Sequence, residues 1–459
     1  MSIVWFRHDL RLADNPALAA ASEAGAVVPV FIWEPDEEYP WEPGAASRWW
    51  LHHSLAALGS RLGAMGSRLI LRTGPTLKTL RTLLKETGSD AVYWNRRYEP
   101  AVRARDKGIE QALLDSGIRV ETYNASLLTE PGEVRTKQST PYRVFKPYWN
   151  AVKDRDIEPP MDAPESLSPP KRWPMSVPLD DLGLLPTIDW TAGMRKAWTP
   201  GEAGASARLE TFVEKRVKNY FAGRDRPDNE GTSSLSPHLH FGEIGPRTIW
   251  HRVEAEAYRR ELTWRDFGYQ LLHHFPSTTE KPFVARFERF PWREDPKALR
   301  AWQRGRTGYP IVDAGMRQLW ATGWMHNRVR MIVASFLVKH LLLPWQDGSR
   351  WFWDTLVDAD LANNTLNWQW SAGCGADAAP YFRIFNPVLQ GEKFDPKGHY
   401  VRKWVPELSK VPDKYIHKLW AAPKDLLRTL GVTYAERIVE HSVARERALE
   451  AFRSMVSGS

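Results

Sequence analysis

Residues 1–33 read MSIVWFRHDLRLADNPALAAASEAGAVVPVFIW, and the order of residue types in them decides the fold of the first part of the chain. Ile3 to Phe6 and Val27 to Trp33 are short runs of β-branched and aromatic side chains, the composition of strands, and Pro16 to Ala24 between them is helical in character. Strand, helix, strand is the unit of a parallel sheet covered on its faces. The rhythm continues outward, with strands expected at Arg68 to Arg72, Ala91 to Asn95 and Arg119 to Tyr123, and helices at Ser47 to Ala64, Pro75 to Thr87 and Val102 to Ser116. This pattern predicts a doubly wound α/β domain over residues 1–128. No GxGxxG comes after the first strand, so a conventional dinucleotide site is not indicated.

Beyond this domain the composition changes. Residues 129–200 hold Pro159, Pro160, Pro164, Pro169, Pro170, Pro174, Pro178 and Pro186 in quick succession, the mark of an extended connector. Within it PYRVFKPYW (Pro141 to Trp149) is too aromatic for free coil and is expected to pack on the second domain. From about residue 201 to 459 apolar residues recur at three- and four-residue spacing between Gly and Pro punctuation, which predicts an all-α domain. A chain of 459 residues has room for both domains and a cofactor cavity.

Composition narrows the function. There are 23 Trp against 14 Tyr and 17 Phe, more of the bulkiest aromatic than packing demands; stacking, light absorption or electron transfer would use it. Lys plus Arg number 63 against 55 Asp plus Glu, a formal charge of +8, which suits a polyanionic partner such as nucleic acid but is also compatible with a merely basic surface. One cysteine, Cys374, excludes an intramolecular disulfide and any Cys-rich metal site. The start is interrupted by Arg7, His8, Asp9 and Arg11, and no apolar run is long enough to span a bilayer. A soluble cytoplasmic protein is the expectation.

Four segments carry candidate chemistry. WFWDTLVDADLANNTLNWQWSAG (Trp351 to Gly373) sets Asp358, Asp360, Asn363, Asn364 and Asn367 between tryptophans, a composition suited to gripping a polar ring system, although core packing and helix capping use the same residues. In GTSSLSPHLHFGEIGP (Gly231 to Pro246), Thr232, Ser233, Ser234 and Ser236 precede a helical stretch; they fit a pyrophosphate site or a plain N-cap. In RRELTWRDFGYQLLHH (Arg259 to His274), Glu261, Trp264 and Arg265 share a helix face, where acid, indole and guanidinium suit a base or lesion. WMHNRVRMIVASFL (Trp324 to Leu337) carries Asn327, Arg328 and Arg330, the last a candidate partner for Asp358. His326 has no HxxxH or Cys companion, so no metal site is expected.

WFRHDLRLADNPAL, TGYPIVDAGMRQLWATGWMHNRVRMIVASFLVKHLL, DADLANNTLNWQWSAG and PYFRIFNPVLQGEKFDP, in that order, resemble the photolyase and cryptochrome flavoproteins from about residue 3 to about residue 440. The resemblance implies an antenna-binding α/β domain, a connector and a helical domain holding FAD. It implies that Tyr220, Thr232, Ser233, Ser234, Leu235 and Ser236 wrap the FAD phosphates, that Arg330 and Asp358 form a salt bridge beside the flavin, that Asp360 hydrogen-bonds the ring, and that Asn364 faces flavin N5. Trp368, Trp345 and Trp292 match the electron-relay chain.

Glu261, Trp264, Asn327, Met331 and Trp370 match the positions with which cyclobutane pyrimidine dimer photolyases hold the flipped dinucleotide, and Arg224, Arg265, Arg328, Arg383 and Gln390 match residues that meet DNA. Asn327 and Met331 stand where (6-4) photolyases carry two histidines, and plant cryptochromes usually lose the tryptophans kept here at 264 and 370. The expected activity is therefore light-driven repair of cyclobutane pyrimidine dimers, with Glu261, Asn364 and the three relay tryptophans as catalytic residues and a cryptochrome-type photoreceptor as the alternative. After Tyr98 and Glu99 the chain reads Pro100, Ala101 and Val102, without the Asn-Glu pair of the folate-binding bacterial branch, whereas SRWWLHHSLAAL (Ser47 to Leu58) resembles the plant-cryptochrome-related photolyases. The implied antenna is 5,10-methenyltetrahydrofolate, seated differently; the implied partner is damaged DNA, bound by a monomer.

Overall fold

The computed structural model describes residues 1–378 and 382–457. Its N-terminal part alternates β1 (Ser2–Phe6), α1 (Pro16–Glu23), β2 (Val27–Trp33), α2 (Ala45–Ala64), β3 (Ile70–Thr73), α3 (Thr76–Thr87), β4 (Ala91–Asn95), α4 (Pro100–Leu114) and β5 (Arg119–Tyr123). All four pairings are parallel and the strand order is β3-β2-β1-β4-β5, as the sequence rhythm predicts. Ile3 pairs with Val28 on one side and Val92 on the other, and this register puts alternate side chains on one face. There Ile3, Trp5, Val28, Val30, Ile70, Val92 and Trp94 pack on Leu80, Leu83 and Leu84 of α3 and Ile109 and Leu113 of α4.

The expected boundaries differ from the observed ones for local reasons. α4 begins at Pro100 rather than Val102, because proline at the first helical position loses no helical hydrogen bond. β3 begins at Ile70 rather than Arg68. Strand order reverses between β1 and β4, the place where open α/β sheets usually present a crevice. Here it is filled by the chain itself: Arg7 donates to Asp106 and to the Asn95 carbonyl, and Asn95 Nδ2 donates to Asp9 and Asn15 at 2.6 and 2.7 Å.

The proline-rich stretch is extended but not loose. Val177 N donates to Leu71 O at 3.0 Å and Leu71 N to Ser176 Oγ at 2.9 Å, so the connector covers the free edge of β3. Its aromatic portion forms α5 (Phe145–Val152), with Phe145, Tyr148, Trp149 and Val152 buried.

The remainder is helical; the longer helices around the candidate residues are α6 (Glu256–His274), α7 (Pro296–Gln303), α8 (Asn327–Ser335), α9 (Trp345–Thr355) and α10 (Leu361–Ala372). The chain forms two compact units. One comprises Met1–Val217, Ser233–Pro276 and Val357–Ala362, the other Lys218–Thr232, Ser277–Leu356 and Asn363–Ser459. Helices of residues 233–276 thus count with the sheet although they come after the connector in sequence. Among the described residues no helix is long and apolar enough to cross a membrane.

Candidate functional site

In the first unit the candidate residues stand on α6 and two short segments. α6 buries Tyr258, Leu262, Phe267 and Leu271 at helical spacing, leaving Glu261, Trp264 and Arg265 on a partly open face. Trp264 stacks on Phe145 of α5, with ring centroids 3.8 Å apart and planes 13° apart. Arg265 is turned inward: its side chain is 12 % exposed, it donates to Ser126 O at 2.5 Å, and it lies over the Tyr269 ring. Its charge is engaged within the fold, by the Ser126 carbonyl and the Tyr269 ring.

Asp266, the next residue, is 1 % exposed. Its Oδ2 accepts from Leu128 N and Thr129 N at 2.7 and 3.1 Å, while Oδ1 is buried 3.6 Å from Arg265 Nη1 with no hydrogen bond from the described residues. Burial, only partly offset by Arg265 and the two backbone N–H groups, pushes the carboxyl up to about 7. Tyr269 donates a short hydrogen bond to Asp360. Asp358 and Asp360 are both 8 % exposed, and Asp360 N donates to Asp358 O at 2.8 Å.

The serine segment places Ser233 inside, where it accepts from Tyr258 Oη at 2.9 Å and from Leu235 N at 3.3 Å. Ser234 adopts φ 54°, a left-handed conformation costly for a side-chain-bearing residue, and so turns the chain sharply before the five-residue helix Ser236–His240. Ser234 and Ser236 are partly or fully exposed, while Leu235 is buried; Thr232, partly exposed, ends a segment of the second unit. Hydroxyls on an open, sharply turned segment are the donor set a phosphate needs.

In the second unit, Asn364 of α10 donates through Nδ2 to Ser349 O and Ser349 Oγ of α9, at 3.0 and 2.9 Å. This fixes the amide, and its Oδ1 accepts no hydrogen bond from the described residues. A nearly buried acceptor without a donor fits a residue that must face a ring N–H. Trp368 is 2 % exposed, edge-on to Phe352 at 5.0 Å and Trp302 of α7 at 6.2 Å, with its Nε1 buried and without an acceptor among the described residues. α9 passes so close that a Cβ on Gly348 would lie 2.0 Å from the Trp368 ring. Trp345 opens α9 and is buried; Trp292 is half-buried against Phe290, with centroids 4.4 Å apart.

Asn327 is exposed at the start of α8, and Met331 is half-buried one turn on. Before them His326 is buried and accepts from Arg328 N at 3.2 Å; burial depresses its imidazole to about 4, so it stays neutral and its Nδ1 remains an acceptor. Met331 and Trp370 line one pocket with Ser335, Lys339, Ser371, Gly373, Arg383 and Phe385. Lys339, 1 % exposed, donates to Ala372 O at 2.6 Å and thereby caps α10, with its ammonium 3.1 Å from the Phe382 ring centroid. Arg328 is paired with Asp225 at 2.8 Å and lies over Phe394; Arg224 lies over Tyr220. Arg330 donates to Met325 O at 2.7 Å. Arg383 is exposed, and Gln390 stands half-buried on the helix Pro387–Phe394. Pro380 and Tyr381, which open one of the resembling motifs, lie outside the described residues. Among the described residues no group of three or more His, Cys, Asp or Glu could hold a metal.

Tyr269, Phe145, Trp302, Gly348 and Ser349 escaped the sequence reading. Only Tyr269 left a signal, as it continues the Glu261–Arg265 face at four-residue spacing.

Comparison with known proteins places the chain in a family. Residues 2–165 match the DNA photolyase family model, and residues 258–454 match the FAD binding domain of DNA photolyase. The chain is 53% identical to the deoxyribodipyrimidine photo-lyase of Agrobacterium fabrum over 99% of this chain and 98% of that protein. It is 41% identical to Cryptochrome-2 of Arabidopsis thaliana over 98% of this chain and 78% of that one. The crystal structure of a bacterial class III photolyase from Agrobacterium tumefaciens superposes with a TM-score of 0.96 at 52% identity, covering 99% of this chain and 98% of that chain. With a parallel sheet followed by a helical domain, and relatives that match it from end to end, this chain belongs to the DNA photolyase family.

Proposed function

We propose that this protein is a deoxyribodipyrimidine photo-lyase that repairs cyclobutane pyrimidine dimers in DNA under light, with FAD as its cofactor. The observation that carries the reading is the 53% identity to a photo-lyase along essentially the whole of both chains. Residues that would hold FAD are Tyr220, Thr232, Ser233, Ser234, Leu235 and Ser236 at its phosphates, and Arg330, Asp358, Asp360 and Asn364 at its ring system. The sharply turned serine segment, with φ 54° at Ser234, and the Asn364 Oδ1 that accepts no hydrogen bond from the described residues support that assignment. When bound and reduced, FAD supplies on excitation the electron that opens the cyclobutane ring and takes it back afterwards.

The chain's own residues then bind, orient and tune. The basic surface, with a formal charge of +8, draws duplex DNA through its phosphates, and Arg224, Arg265, Arg328, Arg383 and Gln390 are the assigned contacts. A dimer pairs and stacks poorly, so flipping it out of the duplex costs less than flipping an intact base. Trp264 and Trp370 stack on the flipped bases, with Asn327 and Met331 at their edges. Glu261 hydrogen-bonds the dimer and stabilises the charge it acquires, as a preorganised polar group does. Asn364, held by Ser349, keeps its carbonyl oxygen aimed at one position. Trp368, Trp345 and Trp292 are the chain's electron donors for restoring the reduced cofactor.

A folate of the methenyltetrahydrofolate type is the proposed antenna. The α2 segment that suggests it keeps Trp49 and Trp50 fully buried, so an antenna lying on α2 meets other side chains there. The protein is proposed to act as a cytoplasmic monomer on DNA. The second reading, a cryptochrome-type photoreceptor without repair activity, rests on the 41% identity to Cryptochrome-2; Trp264, Trp370 and Asn364 favour repair. Restoration of a thymine-dimer oligonucleotide by the purified, reduced protein under blue light, with none in the dark, is the expected result. A preparation carrying reduced FAD that restores nothing in light would instead support the photoreceptor.

A further inference from the structure

We infer that Phe145 is a positioning residue of the lesion site: its ring backs Trp264 and holds the indole with one face free for the flipped dimer. The inference rests on the proposed repair activity. Phe145 opens α5, in the aromatic part of the connector that the sequence marks for packing without assigning it a role in the site, and it is 2 % exposed. Its ring lies 3.8 Å from that of Trp264 with 13° between the planes, so one face of the indole is covered by another flat ring. Phe267, three residues on along α6, meets both rings edge-on: 5.6 Å and 78° from Trp264, 5.8 Å and 66° from Phe145. One ring fixes the plane of the indole and the other blocks its edge, while Trp264 itself stays half-exposed.

A flat side chain that must receive a flat base gains affinity when its rotamer is settled beforehand, because binding then no longer has to order it. Trp264 has two faces, and the stack on Phe145 occupies one of them. The other is the one left for a base. Phe145 is too deeply buried to reach the dimer, so it acts through Trp264. Residues 129–200 therefore contribute to lesion recognition as well as joining the parts of the chain.

The test is dark equilibrium binding of the flavin-loaded protein to a duplex with one thymine dimer and to the same duplex undamaged. Loss of one aromatic stack predicts that F145L weakens dimer binding roughly three- to tenfold. Affinity for undamaged duplex and the flavin absorption spectrum should stay unchanged, and F145Y should restore dimer binding. In a W264A background F145L should do nothing further. Equal weakening toward both duplexes, or a fully additive loss in the W264A background, would overturn the inference and leave Phe145 as ordinary core. Should F145L purify without flavin, F145M carries the same comparison. Wild-type protein that binds the dimer selectively but restores none of it in light would overturn the repair reading while leaving the role of Phe145 intact.

Discussion

Replacing Asp266 with asparagine should change the pH dependence of stability in a calculable way. The carboxyl is buried on α6, with one oxygen accepting two backbone N–H groups and the other 3.6 Å from Arg265 Nη1, without a hydrogen bond from the described residues. Burial raises it from an ordinary value of 3.8 to about 7. A raised carboxyl means that the native state holds the proton more tightly than the unfolded chain. Its favourable contribution is complete below about pH 4 and is lost as pH rises toward 7. The interval corresponds to roughly 4 kcal/mol. Asparagine keeps an acceptor for Leu128 and Thr129 and cannot ionise. The variant and wild type should therefore unfold at similar temperatures near pH 4.5, with the variant gaining as pH rises and leading by several degrees at pH 8. Thermal midpoints by circular dichroism across that range are the assay, read as a difference between the proteins, since a chain of 459 residues need not unfold in two states. A constant difference across the range, or a variant that falls further behind at pH 8, would refute the reasoning.

Two further changes probe the tryptophan environment. Trp368→Phe should slow photoreduction of the oxidised protein, followed by flavin absorbance, while protein reduced chemically beforehand repairs at the wild-type rate; normal photoreduction would point to a different donor. Gly348→Ala places a methyl group 2.0 Å from the Trp368 ring. It should cost roughly 1–3 kcal/mol through overpacking, and an unchanged melting temperature would mean that α9 yields freely at that point.

The sheet was legible because each of its strands is a short β-branched or aromatic run set off by helical sequence, a one-dimensional signal that the parallel register then reproduces. Where the reading fell short, the missing information was three-dimensional. Arg265 shares a helix face with Glu261 and Trp264, yet sequence gives no notice that Ser126 and Tyr269 draw its guanidinium inward. Proline spacing marks the connector as extended without indicating that Ser176 and Val177 bond along β3. The aromatic run holding Phe145 is marked for packing, but nothing in it names the partner, which lies more than a hundred residues away on α6. Asp358, Asp360 and Asn364 stood out early because acids and amides crowded among tryptophans are rare in a segment that serves only as core.

The burial of Trp368 has a consequence for protons. An indole that loses an electron becomes a strong acid and sheds its N–H proton to whatever base is near. Among the described residues Trp368 Nε1 has no acceptor, and its neighbours are Phe352, Trp302 and the bare backbone of Gly348. In the proposed electron relay, a positive charge left on this ring would find no base among these neighbours to take its proton. Such surroundings favour passing the charge on to another ring over trapping it as a neutral radical, and giving Nε1 a hydrogen-bond acceptor should turn a conductor into a sink.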